Sequence, residues 1–413
     1  MKKLALKFFF LLVAISGFSQ NITIEKFKST ELLGEKSDER IIKIYVPESY
    51  KTDSTKVYPL ALVLDAEYLF DVYVANAKLF AGKDKAPEQI VIGVYQNQNG
   101  ERKRDAQVNI ENNLLAESSS KFYKFIKKEL LPKMEDRYRI SQFKTIVGNT
   151  ITGNFINYFL VEDNPIFNAY VNINPSFPPG IAGLFQGKIP DLNAKKIYYY
   201  MNSGKYNGEK KDEAIKKVHY ILENVENESF SYKFDRLDTS TKESSIGQGM
   251  AAAQAQIFEM YSSISKEEFK NNIADLSPGE AIEYLEKKYV EIQYLFGANI
   301  KIRQRDIFAV ESIILDKENG DYLEEFGKMI NRLYPESPIG DYYIGQYYEA
   351  GNQFKQALKY YKNGYAKISA DDPNGDGYYE NVERVLAKTK QGRERPSEEE
   401  VIEEEVIEEE GGN

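Results

Sequence analysis

Apolar residues fall along this chain in two rhythms. Between residues 41 and about 261, short apolar runs alternate with stretches of helical spacing. "RIIKIYVPESY" reads as a strand ending at Pro47, and "YPLALVLDAEYLF" holds a continuous apolar run, 60–64, stopped at Asp65. "EQIVIGVYQ" is a further run, followed by the polar stretch "NQNGERKRDAQ". "SSKFYKFIKKELLPKMEDRY" puts Phe122, Phe125, Ile126 and Leu130 on one helix face, with Pro132 near its end. "KTIVG", "AYVNINPS" and "KKIYYYMNSG" are further buried strands. Strands that alternate with helices in this way predict an α/β fold, a mainly parallel sheet sandwiched by helices.

From about Ser265 the rhythm becomes helix after helix. "DYYIGQYYEAGNQFKQALKYYKNGYAKI" places Gly345, Tyr348, Gly351, Phe354, Ala357 and Tyr361 so that it resembles a tetratricopeptide helix-turn-helix. Small residues stand where two helices cross closely, and aromatics fill the gap. One such repeat is shorter than an array that stands alone, which implies that the helical half leans on its neighbour. The expected organisation is a leader at 1–19, an α/β domain at 20–264, an all-α tetratricopeptide-like domain at 265–390 and an acidic, disordered tail at 391–413.

Composition adds three further constraints. The start, "MKKLALKFFFLLVAISGFSQ", reads as a secretory signal peptide: Lys2, Lys3 and Lys7, an apolar core at 8–15, then Gly17 and Ser19 before cleavage at Gln20. Its apolar run is far short of the ~20 residues that a membrane span needs, and no later segment is long and apolar enough. These features predict an exported, periplasmic or secreted protein with no membrane span. With no cysteine in 413 residues, neither a disulfide nor a lipid-modified cysteine can form. The formal charge of −10 rests on the tail: without the nine glutamates in 398–410 the remainder carries −1, or −4 once the leader's three lysines are lost. No basic patch rises above background, so nucleic acid is not an expected partner.

The candidate chemistry lies in "VGNTITGN", residues 147–154, between the apolar runs "FKTIV" and "FINYFL". A strand, a glycine turn and a helix in that order form the layout of a hydrolase nucleophile elbow, with threonine where a serine is expected. Several segments then coincide in order: "RIIKIYVPESY", "YPLALVLDAEYLF", "IVIGVYQNQNGERKRD", "KFIKKELLPKMEDRY", "TIVGNTITGNF" and "NINPSF". Together they resemble the esterase D-like branch of the α/β-hydrolases, which includes ferric-siderophore esterases. The segment through "LYPESPIGDYYIGQYYEAGNQFKQALKYY" resembles the helical extension that some of these esterases carry.

The resemblance implies site residues. The family elbow reads Gly-His-Ser-x-Gly/Ser-Gly, so Thr150 takes the nucleophile position, Asn149 the one before it, Gly148 the first glycine and Thr152 the small residue two later. An acid is expected at Glu209. The histidine position falls in "DTSTKESSIGQ", where Glu243 stands instead. Backbone N–H groups of Ala66 and Ile151 would form the oxyanion hole. Asp65, Arg104 and Asn149 are candidate ligand-binding residues, and Asp105 accompanies Arg104 beside the cleft. No cofactor and no metal are expected; "DDPNGD" lacks the spacing and terminal glutamate of a calcium loop and reads as a helix linker.

The chain has one histidine, His219, in "DEAIKKVHYILENV" at the border of an apolar face formed by Ile215, Val218, Leu222 and Val225. It precedes the last strand region and is not read as the triad base. A hydroxyl is a poor nucleophile until a base takes its proton. Lys242 or Glu243 could substitute on paper, but Lys242 would need desolvation to lose its proton. The reading is an exported esterase-fold protein that has lost catalysis and binds a small-molecule or protein ligand. An active carboxylic-ester hydrolase using Thr150 is the alternative, and a helical domain that is the working surface for a protein partner is a third.

Overall fold

In the computed structural model, which describes residues 21–31, 39–98, 100–192, 196–205, 208–297, 300–318, 320–369 and 371–391, the apolar runs form one sheet. The chain divides into a first unit, Met1–Ile257, and a second, Phe258–Asn413. The expected leader and residues 392–413 of the acidic tail lie outside the described residues.

The strands are β1 Ile22–Lys28, β2 Glu39–Tyr45, β3 Tyr58–Val63, β4 Ile90–Val94, β5 Ile140–Asn149, β6 Ala169–Ile173, β7 Ile197–Gly204 and β8 Phe230–Leu237. They pair in the order β1-β2-β4-β3-β5-β6-β7-β8. The first two pairings, β1 with β2 and β2 with β4, are antiparallel; the others are parallel. β3, β4, β6 and β7 are buried along their whole length. That burial explains why they read as unbroken apolar runs. β7 meets it with three successive tyrosines, Tyr198, Tyr199 and Tyr200, rather than aliphatic residues.

Five helices of this unit bear on the candidate site: α1 Ala66–Gly82, α2 Glu101–Asp105, α3 Ile151–Phe155, α4 Glu209–Glu223 and α5 Lys242–Ile257. The helix expected from "SSKFYKFIKKELLPKMEDRY" forms with a π turn, Phe125–Leu130, between α-helical halves Glu117–Lys124 and Leu131–Arg137. The π turn precedes Pro132, which lacks the N–H for an ordinary helical bond and carries a ring that crowds the turn before it.

The second unit is helical in its described residues. α6 Pro278–Phe296 begins with a capping box, in which the Ser277 side chain accepts from Glu280 N while the Glu280 carboxylate accepts from Ser277 N. α7 Ile339–Ala350 and α8 Phe354–Ala366 form the hairpin expected from the Gly/Tyr pattern, followed by α9 Gly375–Gln391. A Cβ on Gly345 would come within 2.7 Å of the Tyr361 ring, so only glycine lets these helices approach this closely. The unit also has a core of its own, in which Leu285, Tyr289, Ile314, Phe326 and Tyr343 are buried together. Through Tyr343 this core joins the hairpin to the helices that precede it.

Glu349 ties α7 to α8 and α9. Its carboxylate accepts from Arg384 (2.6 Å), Lys388 (2.9 Å) and the Tyr361 hydroxyl (2.9 Å). Burial alone would raise its pKa, but these hydrogen bonds outweigh that effect and hold it at about 2. A depressed folded-state pKa contributes stability above the unfolded value of 4.5, and that contribution is lost as pH falls through about 2. Glu349→Gln should therefore lower the melting temperature of the second unit at pH 6. The gap between wild type and variant should close by pH 2, as followed by near-ultraviolet circular dichroism. A gap independent of pH would show that the carboxylate charge contributes nothing.

Candidate functional site

β5 delivers the chain to a sharp turn at its carboxyl end. Thr150, the residue between β5 and α3, has φ 56° and ψ −108°. Positive φ is costly for any side chain and more so for a β-branched one. The turn persists because its backbone is fixed on several sides. Thr150 N donates to Ile173 O (2.9 Å), while Thr150 O accepts from Ser176 N (2.9 Å) and Asn154 N (3.0 Å). Gly148 permits the approach of α3, since a Cβ there would lie 2.5 Å from the Thr152 carbonyl. Because the obstacle is backbone, Gly148→Ala should cost about 3 kcal/mol, the upper part of the range for overpacking. Urea unfolding of the first unit checks this; a cost near zero would mean that the elbow yields freely.

The side chains around Thr150 close on one another. Arg102, from α2, reaches the elbow and donates from Nη2 to Thr150 Oγ1 (2.7 Å) and Asn149 O (2.8 Å). The same guanidinium pairs with the fully buried Asp65 carboxylate, through Nε to Oδ1 (2.5 Å) and Nη2 to Oδ2 (3.1 Å). Burial opposes charge on Arg102, but the bonds and charge of Asp65 prevail and raise its pKa. Thr152 Oγ1 donates to Asp65 Oδ2 (2.6 Å) and accepts from Asn149 N (2.8 Å). Asn149 Nδ2 donates to the Tyr68 hydroxyl (2.9 Å). That phenol is pushed up to about 12, by burial first and then by the Asp65 charge. It is protonated at neutral pH and cannot act as a base.

A second ring lies behind the first. Asp65 N donates to Gln96 Oε1 (3.1 Å), and Gln96 Nε2 donates to Asp105 Oδ2 (2.9 Å). Asp105 is paired in bidentate fashion with Arg40 (3.0 and 2.7 Å), which also meets Glu101 (3.2 Å). Burial pushes the Asp105 and Glu101 carboxyls up despite the Arg40 charge.

Neutral groups join the carboxyl ends of β6 and β7 to the first turn of α5. Asn202 Oδ1 accepts from Asn174 N (3.0 Å), and its Nδ2 donates to Ser245 O (2.7 Å). Asn174 Nδ2 donates to Ser245 Oγ (2.8 Å), and its Oδ1 accepts from Gly204 N (2.8 Å). All three side chains are buried.

The expected site residues divide accordingly. Thr150, Asn149 and Asp65 come together, joined by Arg102. Ala66 and Ile151 each open a helix, where a backbone N–H has no partner one turn back. Arg104 is half-buried on α2, and its carbonyl accepts from Ser118. Glu209 is exposed at the start of α4, and Lys242 and Glu243 are exposed on the first turn of α5, which takes up residues expected as loop. No hydrogen bond or ion pair among the described residues joins these three to Thr150. His219 lies on α4 against β8, with Nδ1 3.0 Å from the Tyr232 hydroxyl and Nε2 3.6 Å from Glu223. Sequence reasoning missed Arg102, because nothing within "ERKRD" marks which cation turns inward.

Residues 35–155 match the model of the family described as "Putative esterase". No curated protein matches the chain. Among solved structures, an uncharacterised protein from Capnocytophaga ochracea is similar at a TM-score of 0.78 with 27% identity, covering 89% of this chain and 99% of that one. A match of that length runs beyond the 257 residues of the first unit. An IroE-like serine hydrolase from Shewanella oneidensis is similar at a TM-score of 0.55 with 18% identity, covering 76% of this chain and 98% of that one.

Proposed function

We propose, for a chain whose first unit belongs to the α/β-hydrolase esterase family, a non-hydrolytic role: an exported protein that binds a ligand at an elbow that has lost its chemistry. The observation that carries the reading is the Arg102 guanidinium on Thr150 Oγ1. A nucleophile needs a partner that accepts its proton, and a guanidinium has only donors. The neutral Asn174–Asn202–Ser245 network supports the same reading, because none of the three titrates in a useful range. His219, on α4, is engaged with Tyr232 of β8. The helical unit is read as tetratricopeptide-like, a surface for a protein partner. No described helix is long and apolar enough to cross a membrane; export is read from the leader-like start of the sequence. An intact mass that retains Met1 would remove the export assignment.

Hydrolysis by Thr150 is favoured by one observation, the retained positive-φ turn. The two readings part on the initial rate with p-nitrophenyl butyrate. The expected rate for wild type equals that of Thr150→Ala and of buffer, and Thr150→Ser alone adds nothing. A wild-type rate that Thr150→Ala abolishes would establish threonine as a nucleophile.

A further inference from the structure

β8 ends the sheet with one side unpaired. Ile197 N of β7 donates to Ser229 O, so the backbone groups of the odd-numbered residues there face β7. Alternation along the strand then turns the N–H and C=O groups of Tyr232, Phe234 and Arg236 outward. Among the described residues, no backbone group bonds these outward ones. An uncovered edge is a template for another strand unless it is shortened, bulged or interrupted by proline. β8 is eight residues long, has no proline and pairs with β7 without a register shift. Beside it lies a groove of about 450 Å³, lined in part by Leu222, Val225, Tyr232 and Phe234.

The charges on this edge select a partner. Arg236 is held by Asp212 and Asp238. Lys233 is exposed, and Asp235 accepts only from the Tyr200 hydroxyl (2.7 Å); neither has an ion pair among the described residues. An antiparallel copy of the same strand can meet β8 with residue 233, 234 or 235 at the centre. Centring on Lys233 opposes two lysines and centring on Asp235 opposes two aspartates, and like charges directly opposite are destabilising. Centring on Phe234 sets Lys233 opposite Asp235 of the second copy, twice, with Phe234 opposite Phe234. In that register Tyr232, Phe234 and Arg236 form the hydrogen-bonded pairs. The two charge pairs take the non-hydrogen-bonded positions, where side chains lie closer, with Cα atoms about 4.5 Å apart. From this complementarity we propose that β8 docks on β8 of a second copy of this chain, in an antiparallel pairing centred on Phe234 that joins two sheets across a twofold axis. Such a contact is isologous and closes at a dimer. It asks nothing of the elbow and holds whether or not Thr150 is reactive.

Sedimentation velocity of the full chain should show a dimer in exchange with monomer. Lys233→Asp sets aspartate opposite aspartate twice and should weaken the dimer at least about tenfold, because two attractive pairs become repulsive. The position is exposed, so the circular dichroism spectrum should not change. Asp235→Lys should weaken the dimer in the same way by opposing lysines. An equal mixture of the two single variants restores both opposite-charge pairs and should give a heterodimer about as tight as the wild-type dimer. A monomeric wild type would overturn the proposal, as would a dimer that Lys233→Asp leaves intact. A mixture that stays monomeric although both variants are folded would overturn the register. If Asp235→Lys does not fold, because Tyr200 loses its acceptor, the dilution series of Lys233→Asp decides alone. Oligomers that grow beyond the dimer with concentration would mean a heterologous contact between other surfaces and would also overturn it.

Discussion

Arg40→Met should lower the unfolding free energy of the first unit by about 3–5 kcal/mol, the cost of removing one partner from a buried ion pair. Arg40 and Asp105 are 3% and 2% exposed, and Arg40 forms ion pairs with both Asp105 and Glu101. Removing it leaves two buried carboxyls without their ion-pair partner, and the charge of Arg104 compensates them only in part. Burial already pushes both pKa values up, so they would then take up protons. A raised folded-state pKa favours the fold below the unfolded value and loses that contribution as pH rises through the folded value. The deficit of the variant should therefore be smaller at pH 4 than at pH 7. Arg40→Met combined with Asp105→Leu and Glu101→Gln should recover most of the loss, since an apolar replacement of a whole buried pair is often neutral. Urea midpoints at both pH values measure this, and a loss under 1 kcal/mol for the single variant would contradict it.

Arg102→Met should have the second large effect, about 3–5 kcal/mol, because Asp65 is fully buried and the guanidinium is its only charged partner among the described residues. The variant also frees Thr150 Oγ1. If the hydroxyl were an enzyme nucleophile merely masked by arginine, ester turnover should then rise. The expected result is a destabilised protein with no gain in rate, because no hydrogen bond among the described residues joins Thr150 Oγ1 to a histidine or a carboxylate. Asp65 stays tied to Thr152 Oγ1, and Asn202, Asn174 and Ser245 stay neutral. Asp65→Asn added to Arg102→Met should restore stability by removing the stranded charge. A rate that climbs in the single variant would place a latent base at the elbow and reverse the argument.

Much of the sheet was legible because its central strands are covered on both faces. "LALVL", "IVIGV" and "AYVNI" admit no other reading of that length. β1 and β8 were not legible, and both are sheet edges with half-exposed, polar-rich faces. "ITIEKFK" and "FSYKFDRL" carry too few apolar positions to stand out from loop. The elbow was legible because Gly148 and the threonine after Asn149 are fixed by local geometry, and positive φ at Thr150 follows from the turn. Arg102 was hidden because side-chain direction on a five-residue helix depends on what it meets, here Asp65 at a strand end 37 residues earlier. The Asn174–Asn202–Ser245 network was hidden for a similar reason. Neutral amides carry no spacing signal, and only the sheet brings the ends of β6 and β7 to α5.

If Thr150 is not a nucleophile, it should resist covalent labelling. The full chain is incubated with excess fluorophosphonate, which phosphorylates an activated hydroxyl with loss of fluoride, and the peptide spanning 147–154 is weighed by mass spectrometry. The predicted result is an unmodified Thr150 after an exposure that labels a serine esterase completely. A stoichiometric adduct on Thr150, absent after heat denaturation, would contradict it.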